Sequence, residues 1–300
     1  MKVLISGGSG LVGRAISQLL LDQNHQVTWL SRKAGKNALG IQEYAWNVET
    51  GYIDPKALEN TEAIINLAGS PISDRWTPQN KSEILRSRVD GTRLLFNSVQ
   101  KANLPLKAFI SASAAGYYPN SFTQVFTEDD PPGNDFLSLV CQKWEQEAQN
   151  FDQLNIRTVI LRVGIVLSTK GGALPKIAAP IKLGAGAPLA SGKQWMPWIH
   201  LQDLAQQFVY ALKTKAMQGA YNACGPTNAT NAQLTKAVAH ALNKPLLLPK
   251  VPAFALKLLL GEMAETVLAS NKCSNNKMAA AGFNYQFPKL DAALANIYNN

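Results

Sequence analysis

Three observations predict an α/β fold: a doubly wound, parallel sheet with a smaller, mixed and mostly helical lobe towards the C-terminus. Short apolar runs suited to buried strands alternate with longer stretches of helical spacing up to Val163. A glycine-rich turn at residues 7–13 joins the first apolar run to the first helical stretch. The rhythm then breaks near Gly171, after which Gly and Pro recur through Gly192 and the elements become short and mixed.

Residues 2–6 form the first expected strand, and the first helix carries Leu11, Ala15, Leu19 and Leu20 on its apolar positions. Between them Gly8, Gly10 and Gly13 fit GxGxxG, while Gly7, Gly10 and Gly13 fit the related GxxGxxG spacing. A Rossmann-type sheet needs glycines there because the chain turns tightly, backbone N–H groups approach a pyrophosphate, and the helix packs closely on the strand. The helix N-terminus adds unpaired donors and a partial positive charge. Gly7, Ser9, Gly10, Leu11, Val12 and Gly13 are therefore the expected dinucleotide cradle.

The second strand, residues 26–30, runs into Ser31, Arg32 and Lys33, where an NAD enzyme would place Asp or Glu against the adenosine ribose. A guanidinium at that place suits the 2′-phosphate of NADP instead, so NADP is the expected cofactor, with Ser31 and Arg32 as ligands. Residues 41–46 are a short strand and residues 47–60 a loop with a short helix. Residues 62–69 are a buried strand whose small-residue end brings Leu67, Ala68 and Gly69 up to the cofactor. A long helix spans residues 77–102, with Ile84, Val89, Leu95 and Val99 among its apolar positions. The strand at residues 106–111 continues in small residues through Gly116, and a helix at 136–151 leads to a central strand at 157–163. A helix at 202–214 returns to the sheet, Thr230 or Asn231 caps another, and residues 251–300 are helical and apolar. Residues 1–170 with about 195–222 are thus expected to form the NADP-binding domain, and 171–194 with 223–300 the smaller substrate lobe. No repeat or low-complexity linker separates the two, so they should interleave.

With 300 residues, 46% of them hydrophobic and 16% charged, the chain has the composition of a globular protein with a sizeable core. Its net charge of +9 comes from 29 basic residues scattered without a dense run, which suits anionic small molecules rather than nucleic acid. Cys141, Cys224 and Cys273 are far apart, odd in number and without a CxxC, so free thiols in a reducing, cytoplasmic setting are expected. His25, His200 and His240 lack metal-ligand spacing, and no metal is expected. The chain opens on a strand without a cleavable signal, and even the apolar run 251–260 is interrupted by Lys257, so no membrane partner is expected.

The motifs 7–13, Asn66-Leu-Ala-Gly69, Ser111-Ala-Ser113, Arg162-Val-Gly164 and Trp198-Ile-His-Leu-Gln-Asp203, in this order, resemble the extended short-chain dehydrogenase/reductases. Ser31-Arg32, Glu83 with Ser87-Arg88, Gly116-Tyr-Tyr118, Trp144-Glu145, Gly261-Glu-Met and Ala281-Gly-Phe283 narrow the resemblance to an atypical, epimerase-like family with a C-terminal domain of unknown function, often labelled nucleoside-diphosphate-sugar epimerase. The resemblance spans essentially the whole chain. It implies that Leu67 and Ala68 line the path from adenine to pyrophosphate, that Glu83 and Arg88 reach towards the cofactor from the long helix, and that Val166 lies near the nicotinamide. A solvated helix face is the alternative for Glu83 and Arg88.

In the resembled superfamily a YxxxK Tyr is the acid/base, its Lys lowers the phenol pKa, and a Ser or Thr orients the substrate. Ser113 fits the last role, but counting back from Trp144-Glu145 puts Leu137 at the Tyr place and Cys141 at the Lys place. The dyad is absent. Tyr52 to Lys56 and Tyr285 to Lys289 also read YxxxK, yet each has a proline before the lysine and neither precedes the motif helix. Tyr117 and Tyr118, after the strand that carries Ser113, are the remaining candidate phenols, with burial as hydrogen-bonded aromatics the alternative for both. The expectation is an NADP-dependent oxidoreductase or epimerase-like enzyme of a small substrate, with nucleotide sugars a candidate class, acting as a monomer or homodimer. The alternative is a non-catalytic NADP-binding sensor or scaffold.

Overall fold

The computed structural model describes residues 1–299. Seven parallel strands form the main sheet, in the spatial order Gly219–Ala223, Thr158–Val163, Ala108–Ala114, Ala63–Asn66, Lys2–Ser6, Gln26–Ser31, Gln42–Asn47. In chain order this is 3-2-1-4-5-6 with a seventh strand added beyond the sixth, the doubly wound arrangement in which the order reverses beside the first strand. Its strands are apolar because both faces are covered: Lys2–Ser6 is buried at every position. One face packs on α1 (Leu11–Asp22) and α5 (Leu201–Lys213) through Ile16, Leu20, Leu204 and Phe208. The other packs on α2 (Pro78–Lys101) and α3 (Phe136–Gln149) through Leu95, Val99 and Ala148.

The caps show why these helices start where they do. Thr77 Oγ1 accepts from the Asn80 N–H to begin α2, and Asp135 accepts from the Ser138 N–H to begin α3. His200 Nδ1 accepts from the Gln202 N–H to begin α5, so this imidazole is a cap. By contrast α1 begins on Gly10 with no side-chain cap.

A separate apolar cluster joins α4 (Ala173–Lys182), α6 (Asn231–Ala241) and the last helix, Leu290–Asn299. A capping box between Thr230 and Gln233 starts α6. The expected continuous helical stretch after residue 251 is instead broken into four short helices, because Gly261 sits at φ 60 and Gly282 at φ 91 and residues 269–275 run extended between them. Lys272–Cys273 pairs parallel with Val125–Phe126, so the tail crosses back to the sheet domain. No helix among the described residues is long and apolar enough to cross a membrane.

Candidate functional site

The C-terminal ends of the central strands carry polar rows that the parallel register creates. Ser6, Asn66 and Ser111 stand opposite one another on three adjacent strands, and Ser113, Arg162 and Asn222 on three that begin with the strand of Ser111. Side chains two residues apart share a face, so each row is a layer of polar groups laid across an otherwise apolar sheet.

The first row supports the cofactor wall. Ser6 Oγ donates to Asn66 Oδ1 at 2.6 Å, and Asn66 Nδ2 donates to Thr92 Oγ1 at 2.9 Å. The Leu67 N–H donates to Ser6 Oγ, which fixes the start of the turn holding Leu67, Ala68 and Gly69. That turn comes close to the glycine cradle: a Cβ on Gly7, which has φ +73, would stand 2.9 Å from the Leu67 carbonyl carbon. A Cβ on Gly8 would fall within 2.4 Å of the Trp29 indole, and one on Gly13 within 2.5 Å of the Gly7 oxygen. Gly10 differs, since its Cβ would meet only the Gly7 oxygen, at 3.3 Å. Gly7, Gly8 and Gly13 are therefore required by the protein's own packing, whereas Gly10, at the start of α1, is the least crowded of the four, with the Gly7 oxygen as its near neighbour. Ser9, Leu11 and Val12 flank it, and Leu11 Cδ2 would lie 3.8 Å from a Cβ on Gly171, which draws the loop before α4 over the cradle.

Ser31 and Arg32 end the second strand beside the cradle, where Ser6 pairs with Leu30. Ser31 Oγ donates to the Lys33 oxygen and accepts from its N–H, so the hydroxyl shapes the turn, and Arg32 extends exposed, in no ion pair among the described residues. Glu83 and Arg88, on α2, both fasten the turn after the fourth strand. Glu83 Oε1 accepts from Ser70 Oγ at 2.8 Å, and Arg88 Nη1 donates to the Ser70 oxygen at 3.1 Å and the Ile84 oxygen at 3.0 Å. The guanidinium lies against Gly69, where a Cβ would be 2.7 Å from its Cζ, and over the Trp144 ring at 5.3 Å. Burial pulls Arg88 below its usual value, opposed by the Cys141 thiol, and it makes no ion pair among the described residues. Val166 lies on a short strand paired to Trp198–His200, and its carbonyl oxygen would lie 3.3 Å from a Cβ on Gly172.

The second row surrounds Ser113. Its hydroxyl donates to Glu145 Oε1 at 2.6 Å, and that carboxylate also receives Arg162 Nε and Nη2, each at 2.9 Å. Glu145 and Arg162 are both buried, and their bidentate pair leaves one guanidinium nitrogen, Nη1, for the Tyr118 oxygen at 2.9 Å and the Glu128 backbone oxygen at 3.1 Å. Tyr118 Oη in turn donates to Asn222 Oδ1 at 2.7 Å. Its phenol is thus occupied both as donor and as acceptor, and burial raises its pKa well above the ordinary value despite Arg162 nearby. Tyr117 is only half-buried, its ring lying under the Arg162 guanidinium at 3.5 Å from the centroid. Burial raises its pKa as well, opposed by Arg162. Cys141, at the place of the expected lysine, is buried and pushed up to about 12 by desolvation first and the Glu145 charge second.

Glu145, Arg162, Asn222 and Glu128 were not picked out as a group by sequence reasoning. Arg162 and Glu145 each stood inside a recognised motif, and a charged residue in the middle of an apolar central strand was the available signal, since such a charge needs a buried counter-ion. No cluster of His, Cys, Asp and Glu among the described residues could hold a metal.

Comparison with known proteins gives the chain its place. The NAD dependent epimerase/dehydratase family matches residues 3–224, and a domain of unknown function, DUF1731, matches residues 251–297. The epimerase family protein SDR39U1 of Mus musculus is 36% identical over 302 residues, covering 99% of both chains. The epimerase family protein YfhF of Bacillus subtilis (strain 168) is 35% identical over 298 residues, covering 99% of this chain and 98% of the relative. The crystal structure of human SDR39U1 (isoform 2) with NADPH superposes with a TM-score of 0.89 at 34% identity over the whole of both chains. UDP-N-acetylglucosamine 4-epimerase from Bacillus cereus, at 18% identity and a TM-score of 0.80, shares the fold. With a glycine cradle, a Rossmann-like sheet and a C-terminal DUF1731 segment in this order, the chain belongs to the NAD dependent epimerase/dehydratase family.

Proposed function

We propose that the chain is an NADP-dependent oxidoreductase or epimerase-like enzyme whose substrate presents a hydroxyl to Ser113, nucleotide sugars being the first class to try. The observation that carries the proposal is the N-terminus of α1, which has no side-chain cap and starts at the least crowded glycine, Gly10, with Arg32 exposed and in no ion pair among the described residues. A pyrophosphate there would receive the unpaired N–H groups of the first turn, and Arg32 would pair with a 2′-phosphate. A relative crystallised with NADPH supports the cofactor assignment. Residues 1–170 with about 195–222 would hold that cofactor, and the smaller lobe would hold the substrate.

When bound, the nicotinamide would supply hydride transfer. The chain's own residues position the partner carbon. Ser113 has committed its proton to Glu145, so it offers a lone pair and receives a substrate hydroxyl. Tyr117, a phenol and so protonated at neutral pH, with burial favouring that form further, is the remaining phenol able to donate to a substrate oxygen. Tyr118, Glu145, Arg162 and Asn222 hold both residues in place.

One observation favours the second reading, a cofactor-binding protein without turnover. The phenols of Tyr117 and Tyr118 and the thiol of Cys141 are all pushed away from neutrality. The deciding experiment is NADPH fluorescence titration followed by turnover assays with UDP-glucose, UDP-N-acetylglucosamine and simple secondary alcohols and ketones. NADPH binding with turnover of any of these supports the enzyme. Binding without turnover across the panel supports the second reading, and absence of binding removes both.

A further inference from the structure

One surface of the smaller lobe is apolar, cationic and uncovered. The helix Ala253–Leu260, α7, buries Leu256 and leaves Phe254, Leu258 and Leu259 at 74%, 85% and 77% exposure. The loop before it adds Leu247 and Leu248, and Leu183 beyond the end of α4 is 84% exposed. These segments adjoin: Gly186 lies against Leu246, and Leu189 forms a bridge with Val251. Singly exposed leucines are ordinary, but several large apolar side chains gathered on one helix and its neighbouring loops are a mark of docking.

The charge around this patch is predominantly positive. From residue 153 to residue 261 the chain carries a single acidic residue, Asp203, which is buried and accepts from the Gln286 and Phe287 N–H groups. Lys182, Lys244 and Lys257 stand next to the apolar side chains, all exposed and none in an ion pair among the described residues, and Lys250 beside them is exposed with its ammonium donating to the Ser191 oxygen at 2.8 Å. Glu262, the first carboxylate after α7, is taken by Lys81 at 2.8 Å, and Glu265, on the short helix that follows, is the one exposed carboxylate left beside α7. On α7 the residues Phe254, Lys257 and Leu258 share the outer face, where a lysine can lay its stem along apolar surface and keep its ammonium outside.

We propose that this face lies on the surface of a bilayer containing anionic lipid, with Phe254, Leu258 and Leu259 entering the headgroup boundary and the lysines meeting lipid phosphates. The charge decides among occupants. A second copy joined through the same face would set two lysine clusters against each other with too few carboxylates to offset them, since Glu262 is already paired with Lys81. An anionic lipid surface satisfies both the apolar side chains and the cations. The absence of a membrane-spanning run does not bear on this, since lying in the interface requires an exposed apolar face and not the length to cross.

The test is co-sedimentation of the full chain with vesicles of equal parts phosphatidylglycerol and phosphatidylcholine, and with vesicles of phosphatidylcholine alone. The protein should pellet with the former and stay in solution with the latter. Leu258→Asp should weaken partition at least about tenfold, and Lys257→Gln about fivefold. Leu258 is exposed, so circular dichroism should be unchanged in its variant; Phe254→Asp serves as a second variant should the first fail to fold. The proposal is overturned by failure to pellet with anionic vesicles, by equal pelleting with both kinds, or by undiminished pelleting of folded Leu258→Asp and Phe254→Asp. A concentration-dependent dimer that Leu258→Asp dissolves, without vesicle binding, would assign the face to a second copy instead.

Discussion

Gly10→Ala should separate cofactor binding from folding. The added Cβ would meet only the Gly7 oxygen, at 3.3 Å, and Gly10 has φ −72 and ψ 172, a conformation alanine adopts freely. Alanine is a poorer N-cap than glycine by up to about 1 kcal/mol, and the stiffer unfolded chain returns about 0.4–1 kcal/mol, so stability should change by less than about 1 kcal/mol. Binding is another matter, because the methyl group occupies the approach to the first-turn N–H groups. Each charge-assisted hydrogen bond to phosphate lost there removes about 1.5–3 kcal/mol, or roughly 10- to 150-fold in affinity. Gly13→Ala is the control, since its Cβ would sit 2.5 Å from the Gly7 oxygen and 2.6 Å from the Gly8 Cα, both backbone. Overpacking of that kind costs about 1–3 kcal/mol. Urea unfolding and NADPH fluorescence enhancement, measured on both variants, give the comparison. Gly10→Ala with wild-type affinity, or with a stability loss as large as that of Gly13→Ala, would refute the argument that Gly10 is kept for a ligand.

Arg32→Ala should narrow the preference for NADPH over NADH by roughly 10- to 150-fold, measured by calorimetry with each cofactor; an unchanged preference would move the 2′-phosphate elsewhere. Glu145→Ala should cost about 3–5 kcal/mol in chemical denaturation by stranding the buried Arg162 guanidinium, with Glu145→Leu combined with Arg162→Met recovering most of it. Alkaline stability follows from the thiols. Cys141 and Cys273 are each pushed up to about 12 in the fold, while an unfolded thiol ionises near 8.5. The unfolded chain therefore holds fewer protons above that value, and stability, full below it, should fall with rising pH by up to about 1.4 kcal/mol per unit per thiol. Denaturation midpoints measured across this range should flatten in Cys141→Ala. Given a turned-over substrate, Ser113→Ala and Tyr117→Phe should each lower kcat/KM by about 10²-fold or more. Tyr118→Phe should act mainly on stability, since its hydroxyl is spent on Asn222 and Arg162.

What the sequence determined by itself was local. The alternation of apolar runs and helical spacing is enough to specify a parallel sheet, because both faces of its strands must be buried, and the glycine spacing marks the turn because no other residue tolerates that backbone approach. A cap at Thr230 or Asn231 was legible as well, and Thr230 takes it because its hydroxyl satisfies a first-turn N–H group. What only the tertiary structure decided depends on register and on contacts between distant segments. Ser113, Arg162 and Asn222 become neighbours because three parallel strands align them, and Glu145 reaches Ser113 and Arg162 from a helix on the sheet's face. The different fates of Tyr117 and Tyr118, adjacent in the chain, are set by which ring lies under Arg162 and which hydroxyl meets Asn222. The roles of the glycines also part there: a Cβ on Gly7, Gly8 or Gly13 would abut the protein's own atoms at 2.4–2.9 Å and one on Gly10 would meet only the Gly7 oxygen at 3.3 Å, a distinction that spacing cannot carry because all four serve the same turn.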